Sequence, residues 1–183
     1  NKITVALGDL TRDALSIDGG DGSDTLIAAD LAATLYRPTL SNVETLDLDL
    51  TTGTATELSL ADTSGVATIA LDLDSVDENF TVSSATSVTA YKLEAAAAAT
   101  SDIITLGSGT TLAVSNVNAA LGDANTSLVL PNATDLTVKV GKSAGNATTA
   151  AIDLTTLTTA SATSITLGGT DIDAATTVEY IGK

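Results

Sequence analysis

Residues 19 to 27 read Gly-Gly-Asp-Gly-Ser-Asp-Thr-Leu-Ile, the one stretch of the chain whose residue types and spacing suggest a specific chemistry. Gly19, Gly20 and Gly22 permit backbone dihedrals that other residues avoid, so a tight turn can aim several carbonyl oxygens at one point. Asp24 adds a carboxylate, and Asp21 lies close by in sequence. Hard oxygen donors on a flexible turn suit Ca²⁺. Leu26 follows where a strand would begin, its side chain expected in the core.

The fixed places of this stretch match the nonapeptide G-G-x-G-x-D-x-U-x, with U a large aliphatic residue. The segment thus resembles the RTX family, glycine- and aspartate-rich repeat proteins secreted by Gram-negative bacteria. The resemblance implies that Asp24 is the side-chain ligand of a calcium ion and that Gly19, Asp21 and Ser23 offer carbonyl oxygens. A degraded copy, "GDLTRDALS" from Gly8 to Ser16, would contribute Asp13. One good copy beside one poor copy implies one or two ions.

Other acids form weaker candidates. In "LDLDL" and "LDLDSVDEN" the acids alternate with leucines, so Asp47, Asp49, Asp72, Asp74, Asp77 and Glu78 should face outward. A step of 23 places Asp49 over Asp72. Two carboxylates one strand spacing apart repel by about 3–4 kcal/mol at an effective dielectric of 20, and much less in open water. A bridging cation would reverse that sign; solvated acids are the simpler expectation. "GGTDID" places Asp171 and Asp173 after two glycines, without an aliphatic residue at the RTX spacing. Asn116, Asn118 and Asp123 read as a turn before a metal cluster.

The elements that would position these groups are strands. Short alternating stretches such as "VETLDLDL", "VATIALDL", "DLTVKV" and "SITLGG" recur, punctuated by Gly, Asn, Asp and Ser. Leu58, Phe80, Ile104, Leu128 and Ile152 step by 22, 24, 24 and 24, and Leu60, Val82, Leu106, Leu130 and Leu154 repeat those steps. Val88, Leu112 and Leu136 step by 24, as do Ala90, Val114 and Val138, while Leu48 to Leu71 and Leu50 to Leu73 step by 23. The expectation is an all-β parallel β-solenoid (β-helix) with about 23–24 residues per coil, because one coil cannot bury its own inner face and stacking shares a core between neighbours. A sandwich of regular hairpins is the competing fold, and the chain lacks strong Asn-Gly or Asp-Gly hairpin turns between strands. Residues 1–44 would hold the calcium-binding turn and a connecting segment, and 45–183 the coils, continuous with the first part. "KLEAAAAATSD" is helix-friendly but short, and reads as a tight corner or small-residue core position. Residues 28–41 could hold another short helix before Pro38.

Composition narrows the chemistry. The 183 residues include no Cys, His, Met or Trp, and aromatics make up 2%. Thiol chemistry, Cys/His zinc sites and a His general base are therefore absent, and the core is expected to be Leu, Ile, Val and Ala with Thr at its margins. Paired acids without aromatic platforms give no support to a glycosidase site, and no enzyme activity is expected. The net charge of −16, from 23 acids and 7 bases, opposes nucleic-acid and anionic-membrane binding. No apolar run reaches the roughly 18 residues of a transmembrane helix. Beginning at Asn1 without an initiator Met, the chain reads as a segment of a longer polypeptide.

"LSNVETLDLDL" after an RTX repeat, followed by Thr/Ala-rich strands with few aromatics, resembles bacterial surface-layer (S-layer) proteins of the RTX type. That resemblance implies type I secretion, an extracellular location on the cell surface, and self-association into a calcium-dependent lattice. Contact with cell-surface polysaccharide would fall to another domain. The alternatives are the spacer or ligand-binding module of an RTX adhesin and the non-catalytic repeat tail of a secreted hydrolase. An ice-binding face would need the same Thr pair in every coil, which "TAT" (54–56) and "TLT" (156–158) do not supply at this step.

Overall fold

The computed structural model describes residues 1–5, 16–31, 35–50, 56–73, 79–84, 87–95, 103–107, 111–116, 127–129, 135–142, 153–159, 163–168 and 177–182. The described residues are all-β, with no helix among them. One sheet has eight strands in the order β1 (Lys2–Val5), β3 (Thr25–Leu31), β6 (Thr45–Leu50), β8 (Thr68–Leu73), β10 (Ala90–Ala95), β12 (Thr111–Asn116), β14 (Asp135–Lys142) and β16 (Ser164–Gly168). A second has seven: β4 (Leu35–Tyr36), β7 (Thr56–Ser59), β9 (Asn79–Ser83), β11 (Ile103–Thr105), β13 (Ser127–Val129), β15 (Asp153–Thr159) and β17 (Thr177–Gly182). The short strands β2 (Ser16–Asp18) and β5 (Thr39–Ser41) form a third sheet. Every described strand pair is parallel, which excludes the hairpin sandwich: parallel neighbours need a long connection, and here it passes through the other sheets.

Alternation along each strand decides what faces inward. In β6, Leu46 and Leu48 are buried while Asp47 and Asp49 are partly exposed; in β8, Ile69 and Leu71 are buried and Asp72 is exposed. Register then stacks like on like: Leu26, Leu46, Ile69 and Tyr91 lie side by side across four strands, and Leu48 pairs with Leu71. On the second sheet Phe80, Ile104 and Leu128 are in register, with Thr56 next to Phe80. Such columns bury aliphatic surface that one strand alone would leave wet, at roughly 25 cal/mol per Å².

The core is richer in aromatics than composition suggests. Tyr36, Phe80 and Tyr91 are all fully buried and are its largest side chains. Burial of a phenol demands a partner. Tyr91 finds one in the Gly107 N–H, which donates to its hydroxyl over 3.1 Å, and desolvation pushes the hydroxyl pKa up to about 12.

The step between paired strands is not constant, and several expected alignments change. The steps of 23 from Leu48 to Leu71, Leu50 to Leu73 and Asp49 to Asp72 are observed, as are the 24-residue steps from Phe80 to Ile104 to Leu128. Leu58, however, pairs with Val82 rather than Phe80, and Leu128 with Leu157 rather than Ile152. Leu112 stands between Tyr91 and Val138, not Val88 and Leu136, and Val114 between Leu93 and Val140. Thr25 pairs with Thr45, 20 places on, whereas Asp135 pairs with Ser164, 29 places on. Among the described strand pairs the ladder itself also shifts register twice, between Ala28 and Leu31 on β3 and between Leu154 and Leu157 on β15. The expected contact of Leu106 with Leu130 lies outside the described residues, since Leu130 is not among them.

The short helix expected within residues 28–41 does not appear where the chain is described, and residues 96–102 of the alanine run lie outside the described residues. Lys92, Leu93 and Glu94 lie in β10, and residues 28–31, 35–36 and 39–41 are strand. Pairing with neighbouring strands outweighs a modest helix propensity in these segments.

Candidate metal centre

The glycine turn fills one corner between β2 and β3. Asp18 pairs with Ser41 and Thr25 with Thr45, so residues 19–24 span the corner that residues 42–44 span on the next strand pair. The turn is therefore three residues longer than its neighbour. Gly20 and Gly22 adopt φ of +82° and +117°, the left-handed region where a side chain is strained. Gly19 serves another purpose. A β-carbon there would sit 1.9 Å from the Asn42 carbonyl oxygen, so only glycine allows this approach. Its N–H donates to the Ser41 carbonyl at 2.9 Å.

The neighbouring corner is built differently. Asn42 takes φ +52° and Gly65, 23 places on, takes φ +93°; each precedes a fully buried valine, Val43 or Val66. The Asn42 side-chain amide donates to Asp18 Oδ1 at 2.7 Å, and the Gly20 N–H donates to the same oxygen at 3.1 Å. These two bonds, the Asn42 bond foremost, hold the Asp18 carboxyl below its ordinary pKa.

Asp24 is the central group. Its side chain is 0% exposed although Ser23 before it is exposed. The Asn1 backbone nitrogen lies 2.9 Å from Asp24 Oδ1 and donates to the Ser23 carbonyl at 2.8 Å. Two oxygens named by the nonapeptide thus converge on one nitrogen donor. Asp24 Oδ2 is buried with no hydrogen-bond partner among the described residues. A carboxylate desolvated in this way needs hydrogen-bond donors, a cation or its own protonation to offset the lost hydration.

The remaining expected ligands are placed as follows. Asp21 is exposed at the tip of the turn, and Gly19 is held against the next corner. Asp13, Asp171 and Asp173 lie outside the described residues, as do Asn118 and Asp123. Asp49 and Asp72 stand side by side on the outer face, and Glu94 on β10 is in backbone register with Asp72. Among the described residues no three acids come close enough together to hold a metal ion. No described helix is long and apolar enough to cross a membrane.

No family model, curated protein or solved structure matches the chain.

Site assignment therefore rests on geometry, and geometry adds a residue that motif reading passed over. Glu44 accepts a hydrogen bond from the Asp24 N–H at 2.7 Å through Oε2. The signal in the sequence was the phrase acid-Thr-Leu, present as Asp24-Thr25-Leu26 and Glu44-Thr45-Leu46. Its spacing of 20 falls outside the 22–24 step used to align the strands.

The depressed Asp18 carboxyl makes stability depend on pH. A carboxyl whose folded pKa lies below its unfolded value contributes stability above the unfolded value and loses it as pH falls through the folded one. The melting temperature should therefore hold near neutrality and fall below about pH 4. Asp18→Asn, which keeps an oxygen acceptor but cannot titrate, should flatten that fall. Scanning calorimetry across the acid range measures it; equal slopes in the variant and the parent would remove Asp18 from the account.

Proposed function

We propose that the chain is a parallel β-solenoid module of an extracellular, calcium-dependent surface layer that assembles on a bacterial cell, reached by type I secretion. The observation that carries the proposal is the buried Asp24 carboxylate at a glycine turn, with Oδ2 unpartnered among the described residues. The donor set fits Ca²⁺: a carboxylate, the Ser23 carbonyl and a turn whose glycines allow further carbonyls to rotate inward. Asp24 and Ser23 would hold the ion, with Gly19 and Asp21 offering main-chain oxygens. The ion would supply positive charge and fix the turn against the strands on either side. Parallel pairing of successive strands through three sheets supports the solenoid, each circuit of the chain being one coil. The role is structural and non-catalytic, in keeping with a chain that lacks Cys and His.

Calcium would act on assembly through charge. Copies carrying −16 each repel one another, more strongly at low salt. Bound Ca²⁺ lowers that repulsion and orders the corner, so lattice contacts can form. Mg²⁺ should replace it poorly, because it demands a tighter octahedral shell and sheds water reluctantly. The test is light scattering with electron microscopy, titrating the protein with each ion at fixed ionic strength. Sheets that form with Ca²⁺ and not with Mg²⁺ or EGTA are the expected result. Sheets that form equally in EGTA would remove calcium as the switch. A protein that stays monomeric in every ion would instead be an adhesin spacer or the repeat tail of a secreted hydrolase.

A further inference from the structure

Four triplets in the chain read Asn-x-Ser/Thr without proline in the middle: Asn79-Phe80-Thr81, Asn125-Thr126-Ser127, Asn132-Ala133-Thr134 and Asn146-Ala147-Thr148. This is the acceptor pattern for joining a sugar to an asparagine side chain. Asn125, Asn132 and Asn146 lie outside the described residues. Asn79 is exposed and opens β9, and Phe80 after it is fully buried. Side chains alternate along a strand, so Asn79 and Thr81 share the outer face while Phe80 enters the core. Asn42 makes the contrast: its amide is committed to Asp18 Oδ1, and the Val43-Glu44 that follows does not complete the triplet. Thr81 stands between Glu57 on β7 and Thr105 on β11, and Glu57 Oε1 accepts a hydrogen bond from the Ser83 hydroxyl at 2.6 Å.

We infer that Asn79 is a glycosylation site, with a sugar diphosphate as the donor class. In the transfer, Asn79 Nδ2 forms a bond to the anomeric carbon of the sugar and gives up one proton to a base of the transferase. The bond between that carbon and the diphosphate oxygen breaks, and the diphosphate leaves with the electron pair. Thr81 supplies the hydroxyl by which the transferase recognises the triplet. The fold sets the order of events. Phe80 and Thr81 pair with β7 on one side and β11 on the other, so a transferase cannot close around the folded triplet. Transfer therefore precedes closure of the ladder. The finished coil accommodates the product, because a sugar on Asn79 projects into solvent and leaves Phe80 its place in the core. At an inward place the same sugar would bury hydroxyls without partners. The modification goes beyond the structural role proposed above and is independent of calcium.

Peptide mapping by mass spectrometry, with fragmentation that keeps sugars attached, tests the inference on the chain recovered from the cells that naturally make it. The peptide containing Asn79 should carry a sugar on the asparagine side chain. An increment of one sugar residue marks a nucleoside-diphosphate donor, and a preassembled block of several marks a lipid-linked one; either supports the site. Asn79→Gln and Thr81→Ala, produced in the same cells, should both lose the sugar, and Thr81→Ser should keep it. Melting of unmodified parent, Asn79→Gln and Thr81→Ala should agree, which separates recognition of Thr81 from a role in the fold. An unmodified Asn79 in the parent chain overturns the inference. So does a sugar that persists in Thr81→Ala, or one found on the Thr81 hydroxyl in place of Asn79.

Discussion

Phe80→Ala should be among the most destabilising single changes in the protein, at about 3–5 kcal/mol. Phe80 is fully buried at the centre of a column, with Thr56 on one side and Ile104 on the other. Removing the ring discards its transfer free energy and leaves a cavity that parallel strands cannot close, because hydrogen bonds hold their spacing near 4.8 Å. For a chain of this length each kcal/mol lowers the melting temperature by about 2–4 °C, so the loss should be on the order of 10 °C. Asn79→Ser, at the exposed first residue of the same strand, should change stability by less than about 0.5 kcal/mol. Thermal unfolding of the two variants beside the parent decides the matter. Similar melting temperatures for Phe80→Ala and Asn79→Ser would mean that the ring is not in the core.

Calcium withdrawal should have the second-largest effect. An ion at 100 times its dissociation constant stabilises the folded state by about 2.7 kcal/mol per site. Melting in millimolar Ca²⁺ should accordingly exceed melting in EGTA by several degrees. The gap should close in Asp24→Asn, which leaves the turn without its buried charge. A melting temperature insensitive to EGTA in the parent chain would dismiss the calcium turn.

Much of the architecture could be read from residue order. Alternation in "VETLDLDL" and "VATIALDL" identified two strands and their inner faces, because side-chain direction in a strand has a period of two wherever the strand lies. Their step of 23 identified the pairing of Leu48 with Leu71 and of Asp49 with Asp72. Glycine spacing located the turn at residues 19–24 because positive φ at Gly20 and Gly22 is a local requirement.

Tertiary structure decided what local rules leave open. The pairing of Leu112 with Tyr91 and Val138 sets unequal steps along the chain, and step length leaves no mark on strand alternation. Burial of Tyr36, Phe80 and Tyr91 followed from the columns they joined, since the same alternation fits either face of a sheet until register is set. The requirement for glycine at position 19 comes from the Asn42 carbonyl, a neighbour 23 residues away in sequence. Glu44 joins Asp24 for the same reason: their meeting is a property of the strand ladder, which brings together residues that the chain keeps 20 places apart.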